Sequence, residues 1–133
     1  MAENVVVKEQ LTEAMIDAGA ELTRALVDLQ MPISAALWLF TVDDDWQLVF
    51  ASPDVADKCP LAVHRQINVA RDRLGQKVAA IPLLGVRVLE GDAALVRQLR
   101  TAVPADAGIR RIRFTKRVAD GRYIEDALIY RVM

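Results

Sequence analysis

The stretch ALWLFTVDDDWQLVF, residues 36–50, decides the fold. Two runs rich in Trp, Phe, Val and Leu flank three consecutive aspartates, which is typical of a β-hairpin. With Asp44 and Asp45 as the turn, two faces result: Trp38, Phe40, Val42 and Val49 on one, and Leu37, Leu39, Trp46, Leu48 and Phe50 on the other. Both faces are apolar, whereas a free antiparallel sheet usually has one polar face. We therefore expect other elements to cover both sides of this hairpin.

A helix is predicted before the hairpin, over residues 8–30. Apolar residues from Leu11 to Leu29 recur every three or four positions, which places them on one stripe of a helix. Pro32 ends this helix, because the residue before a proline is pushed out of the α region.

Two more helices and a strand follow the hairpin. Pro60 suits a first helical position, and the apolar spacing continues to Leu74, with Gly75 placed to end the helix. The run PLLGVRVLE, residues 82–90, reads as a strand. Asp92 is a candidate N-cap for a short helix after it.

The chain closes with a second hairpin, signalled by Asp120-Gly121 between β-rich runs. A two-residue turn places Val118 opposite Tyr123 and Phe114 opposite Ala127, and makes an ion pair of Lys116 and Glu125 on the same face. The opposite face then holds Arg111, Arg113, Thr115 and Arg117 on one strand and Ile124, Asp126, Leu128 and Tyr130 on the other.

Together these elements predict an α+β fold in the order α-β-β-α-β-α-β-β. We expect a two-layer α/β sandwich, with a mostly antiparallel sheet of about five strands and about three helices. A length of 133 residues suits one domain spanning residues 1–133.

The composition and the net charge say more about partners and cellular location than about activity. The 17 basic and 18 acidic residues nearly cancel, so net charge gives no argument for a nucleic-acid or membrane partner. Cys59 is the only cysteine, which excludes an intrachain disulfide and predicts a cytoplasmic protein. We expect no secretory signal and no membrane span, because the apolar runs are too short.

No arrangement of residues predicts catalysis, a cofactor or a metal. The three aspartates at residues 43–45 read as a solvated turn, because adjacent side chains point apart. Glu125 and Asp126 face opposite sides of a strand, so they cannot act on one substrate atom. Cys59 and His64 lack an orienting motif. The chain contains no phosphate-binding loop and no hydrolase or metalloprotease motif.

The segments ALWLF, WQLVFASP and YIEDALIYR resemble those of a family of small uncharacterised bacterial proteins with a Trp-containing hairpin. The resemblance covers residues 36–53 and 121–132, and its most specific part is the C-terminal strand. It implies a fold class and no chemistry, and it assigns a role to no residue.

The sequence favours a non-catalytic interaction or structural protein that forms a homodimer. Two alternatives stay open: a small-molecule-binding domain or small enzyme with a pocket between sheet and helices, and a nucleic-acid-binding module that uses the Arg-rich C-terminal hairpin. A mixed Arg, Tyr and aliphatic surface is typical of protein interfaces. The candidate interaction face comprises Trp38, Phe40, Arg111, Arg113, Arg117, Ile124, Asp126, Leu128 and Tyr130.

Overall fold

The computed structural model describes residues 10–41, 43, 45–82, 85–106, 108–119 and 122–133, without the side chains of residues 116–119, 122 and 123. The described elements, in chain order, are α1 (Glu13–Asp28), β1 (Ala35–Thr41), β2 (Asp45–Ser52), α2 (Asp54–Asp57), α3 (Pro60–Leu74), a 3₁₀ turn (Gly75–Val78), β3 (Val86–Glu90), α4 (Ala94–Ala102), β4 (Ile112–Ala119) and β5 (Arg122–Val132).

The five strands form one sheet in the order β3-β2-β1-β5-β4. The β1–β2, β1–β5 and β4–β5 pairs are antiparallel, and β2 and β3 are parallel. A parallel pair needs a crossover, and α2 and α3 supply it between β2 and β3. The predicted α+β class with a mostly antiparallel five-stranded sheet is confirmed.

Helices of the same chain cover both sides of the central strands. On the first face, α1 and α3 pack over Ala36, Trp38, Phe40, Trp46, Leu48, Phe50, Leu128 and Tyr130. On the second face, α4 packs over Ala35, Leu37, Val49, Ala51, Phe114, Ala127, Ile129 and Val132. The short helix α4 thus adds a partial third layer to the predicted two-layer sandwich. It also meets the expectation that both faces of the hairpin are covered.

The first hairpin differs from its predicted register by three residues. Thr41 pairs with Asp45 and Phe40 with Trp46, so the predicted turn at Asp44-Asp45 was wrong. Asp45 itself has a φ of 59°, the left-handed conformation common at the end of a three-residue hairpin loop. Because side chains alternate, this shift exchanges the two faces of β2. The first face takes Trp46, Leu48 and Phe50, and Val49 moves to the second.

Known capping preferences account for the start of α1 and for both ends of α3, but not for the start of α4. Helix α1 starts after Thr12, whose Oγ1 accepts the Met15 N–H at 3.1 Å. Helix α3 begins at Pro60 as predicted, and Gly75 ends it with a φ of 55°. Helix α4 begins later than predicted: Ala93 is its N-cap instead of Asp92, and no side chain caps it.

The predicted register of the closing hairpin is confirmed. Phe114 pairs with Ala127, Arg113 with Leu128 and Arg117 with Ile124. The turn residues Asp120 and Gly121 and the side chain of Lys116 lie outside the described part of the chain, so the Lys116–Glu125 ion pair stays a prediction.

Candidate functional site

The predicted interaction face separates into a buried part and an exposed part. Arg111 and Arg113 are exposed, and the side chain of Arg117 lies outside the described residues. The other six residues have at most 6% of their surface exposed: Trp38, Phe40, Ile124, Asp126, Leu128 and Tyr130. A partner therefore meets the arginines of this face and little of its apolar part.

Two aromatic residues of this face, Trp38 and Tyr130, are held against α1 by a buried hydrogen-bond network, whereas Ile124 packs in the cluster beneath α4. Trp38 Nε1 donates to Tyr130 Oη at 3.0 Å and to the Met15 carbonyl at 3.2 Å. Tyr130 Oη in turn donates to the Ile16 carbonyl at 2.5 Å. The polar atoms of both aromatic side chains thus find partners within the chain, as buried Trp and Tyr side chains normally do. We assign these two residues to the core and not to a binding surface.

Removing the hydroxyl in Tyr130→Phe is expected to lower the free energy of unfolding by about 1–2 kcal/mol, because Trp38 and Ile16 lose a partner.

Burial also raises the pKa of Tyr130 well above its ordinary value. The folded state therefore keeps this proton after the unfolded state loses it, and stability falls as the pH rises above about 10. Denaturant unfolding of both proteins between neutral and alkaline pH tests this. If the free energy of unfolding of Tyr130→Phe falls just as steeply with pH above the ordinary tyrosine pKa, the pH dependence does not come from Tyr130.

The charged part of the face is centred on Arg113 and Asp126. Arg113 donates from Nε and Nη2 to the two Asp126 oxygens at 2.7 and 2.6 Å, which is a bidentate pair. The hydrogen bonds that Arg113 donates to Asp126 raise the pKa of Arg113. The guanidinium also lies 5.4 Å from the centre of the Trp46 ring. This pair neutralises the Asp126 carboxylate, of which only 2% is exposed.

Arg113→Ala is expected to destabilise the fold by about 1–3 kcal/mol, because the buried Asp126 carboxylate loses a charged donor pair. Arg111→Ala is the matched control. Its partner Asp17 is 62% exposed, and a solvent-exposed ion pair contributes less than about 1 kcal/mol. Chemical denaturation of the two variants makes the comparison, and equal losses would show that Arg113 does not support Asp126.

The other sequence candidates for chemistry do not assemble. Asp126 lies on the first face with Arg113, whereas Glu125 lines a pocket on the second face, so the two carboxylates are separated as predicted. Cys59 Sγ accepts the Ala62 N–H at 3.4 Å, and no hydrogen bond joins it to His64 among the described residues. Within the same residues, no group of three or more acidic, His or Cys side chains is placed to hold a metal.

None of the helices in the described ranges is long and apolar enough to cross a membrane.

A pocket of about 500 Å³ opens on the second face, beside the N-terminal end of α4. Helix α4 has only nine residues, so it leaves part of this face uncovered. We call this the α4 pocket. Its lining comes from β1, β3, α4 and β5: Leu39, Phe40, Thr41, Arg87, Leu89, Ala93, Ala94, Leu95, Ile124 and Glu125.

The α4 pocket has an apolar surface with two charged side chains. Leu39 and Leu89 are half-buried, and Leu95 and Ile124 have 8% and 3% of their surface exposed. Arg87 is exposed and Glu125 is half-buried. Neither Arg87 nor Glu125 forms a hydrogen bond or ion pair with another described residue. The pocket therefore offers apolar contact together with one cation and one anion that have no partner among the described residues.

Of the residues that line this pocket, the sequence singled out only Phe40 and Ile124, and it assigned both to the interaction face. The available signal was Glu125, an acid on the apolar face of β5, together with Arg87 on the same sheet face. Alternation along each strand would have placed these two charges on one side of the sheet. The strand order that brings β3, β1 and β5 around one pocket was not readable.

Comparisons of the chain with protein-family models, with curated proteins and with solved structures gave no match. The function must therefore be inferred from the geometry of the described residues.

Proposed function

We propose that this protein is a small-molecule-binding domain and that the α4 pocket is its ligand site. The supporting observation is the pocket of about 500 Å³ between α4 and the second sheet face. Ligand sites are typically concave, about 300–1,000 Å³ in volume and mostly apolar, with a few polar groups that orient the ligand. Leu39, Leu89 and Ile124 supply the apolar wall, and Arg87 and Glu125 supply the polar groups.

The sequence favoured a homodimer because both faces of the first hairpin needed a cover. Helices α1 and α3 provide that cover on the first face, and α4 provides most of it on the second. On the second face, the area beside the N-terminal end of α4 stays open. That area is concave, which suits a small ligand better than a flat interface.

Ala93→Phe is expected to weaken ligand binding by at least about tenfold, because the added ring occupies the pocket beside the apolar wall. The readout is a titration with N-phenylnaphthylamine, a neutral dye that becomes fluorescent in apolar sites. We expect saturable binding to the natural protein and little binding to the variant.

The matched control is Ala102→Phe, the same substitution at an exposed position at the opposite end of α4. It should bind the dye as the natural protein does. Thermal unfolding of both variants shows whether each is folded. Dye binding that Ala93→Phe leaves unchanged would place the site elsewhere, and absence of binding to the natural protein would remove support for the proposal.

A homodimer joined through β4 is the second candidate. In the sheet order, β4 is an edge strand of eight residues, so its outer backbone groups are available for pairing. Two-fold pairing of β4 would bring Arg111 and Arg113 close to their copies, which opposes association. Light scattering on a sizing column at low and high salt tests this candidate. A dimer that strengthens with salt supports it, and a monomer at both salts rejects it.

The nucleic-acid alternative has less support. Arg111 and Arg113 each pair with a carboxylate, from Asp17 and Asp126 respectively, which reduces the charge available for phosphates.

We propose a cytoplasmic location, because the single Cys59 leaves no intrachain disulfide to form in an oxidising compartment.

A further inference from the structure

We propose that the ligand of the α4 pocket is an elongated zwitterion, with an apolar middle, an anionic group that meets Arg87 and a cationic group that meets Glu125. This inference rests on the proposed function. It adds the chemical class of the ligand and the direction in which the ligand lies.

The two charges lie on opposite sides of the pocket. Arg87 belongs to β3 and Glu125 to β5, and the sheet order places β2 and β1 between them. Three steps between neighbouring strands, of about 4.8 Å each, separate β3 from β5 by about 14 Å. The pairing registers also place Arg87 level with Ile129, four residues along β5 from Glu125. A single compact ion therefore cannot contact both side chains. An extended molecule that crosses the strands can do so.

The apolar wall lies between these charges. Leu39 is on β1, between the two charged strands, and Leu95 and Ile124 lie in the same pocket. Such a wall gains free energy by contact with a hydrocarbon chain and not with a polar linker. The ligand is therefore expected to be polar at its ends only.

Glu125 decides between a zwitterion and a simple amphipathic anion. This carboxylate is half-buried and has no hydrogen bond or ion pair with another described residue. The ligand's cationic group takes the place of the Lys116 ammonium that the sequence predicts at Glu125, so the two are alternatives. An apolar tail placed against it would remove more water without supplying a partner, which costs free energy. An ammonium group at that end supplies both charge and hydrogen-bond donors. By the same argument, the Arg87 guanidinium is expected to bind a carboxylate at the other end of the ligand.

The test uses four twelve-carbon probes that share one chain and differ in their end groups: dodecanol, dodecanoate, dodecylammonium and ω-aminododecanoate. Each displaces N-phenylnaphthylamine from the natural protein, from Arg87→Gln and from Glu125→Gln, at neutral pH and low salt. Arg65→Gln and Glu13→Gln are matched controls, because these exposed residues lie on α3 and α1, outside the pocket.

We expect the ω-amino acid to bind the natural protein about tenfold more tightly than either singly charged probe. Arg87→Gln should weaken dodecanoate and the ω-amino acid, whereas Glu125→Gln should weaken dodecylammonium and the ω-amino acid. Dodecanol should bind all five proteins alike. If only Arg87→Gln changes binding, the zwitterion is wrong and the ligand is an anion. If dodecanol binds but charge has no effect, this inference fails while the proposed function stands. If no probe and no dye binds, the proposed function itself fails.

Discussion

Gly19→Ala is expected to lower the free energy of unfolding by about 1–3 kcal/mol, although alanine is the better helix former by about 1 kcal/mol. A β-carbon at Gly19 would lie 2.7 Å from Trp38 Nε1 and closer still to Tyr130 Oη. Both side chains are buried and hydrogen-bonded to α1, so neither can move without losing a bond. The absence of a side chain at this position lets α1 approach the sheet.

Urea denaturation of Gly19→Ala measures this effect. The double variant with Tyr130→Phe should lose less than the sum of the two single losses, because the phenylalanine has no hydroxyl in the path of the new methyl group. Stabilisation by Gly19→Ala would mean that helix propensity dominates and that α1 is not packed as described.

Phe114→Ala is expected to destabilise the fold by about 3–5 kcal/mol, as large-to-small substitutions of buried aromatic residues do. Phe114 has 4% of its surface exposed and belongs to the cluster beneath α4. Its loss would leave a cavity between β4 and that helix. Differential scanning calorimetry of the variant gives the change in melting temperature and enthalpy.

The control for Phe114→Ala is Thr115→Ala at the next position of the same strand. Thr115 is exposed on the other side of the sheet, so its substitution should cost less than about 1 kcal/mol. If Thr115→Ala proved the more damaging of the two, the assignment of faces along β4 would be inverted.

The closing hairpin and the first hairpin show how far sequence determined the fold. Asp120-Gly121 fixes a short turn, and the register it predicts, with Phe114 opposite Ala127, is confirmed. The three aspartates at residues 43–45 offer equivalent turn positions, and their chemistry does not choose among them. The structure pairs Thr41 with Asp45, which exchanges the faces of β2. A shift of three residues, or of any odd number, is thus enough to place a whole strand face on the wrong side of the sheet.

The candidate site was less predictable because it depends on contacts between distant segments. An apolar sheet face requires a cover, but sequence alone does not say whether that cover is a helix of the same chain or a partner. Trp38 and Tyr130 were assigned to a face that α1 covers through their hydrogen bonds. The α4 pocket exists because a nine-residue helix is too short to cover the whole sheet face, which stays open beside the N-terminal end of α4. The length of α4 was readable from the sequence, whereas its position across the sheet was not.

The central claim is that the α4 pocket binds a ligand, and a backbone amide NMR titration with dodecanol tests it most directly. We predict saturable chemical-shift changes concentrated at Leu39, Leu89, Ala94 and Glu125, with the amides of α1 and α3 unchanged. Changes centred on α1 and α3, or no saturable change at any amide, would contradict the claim.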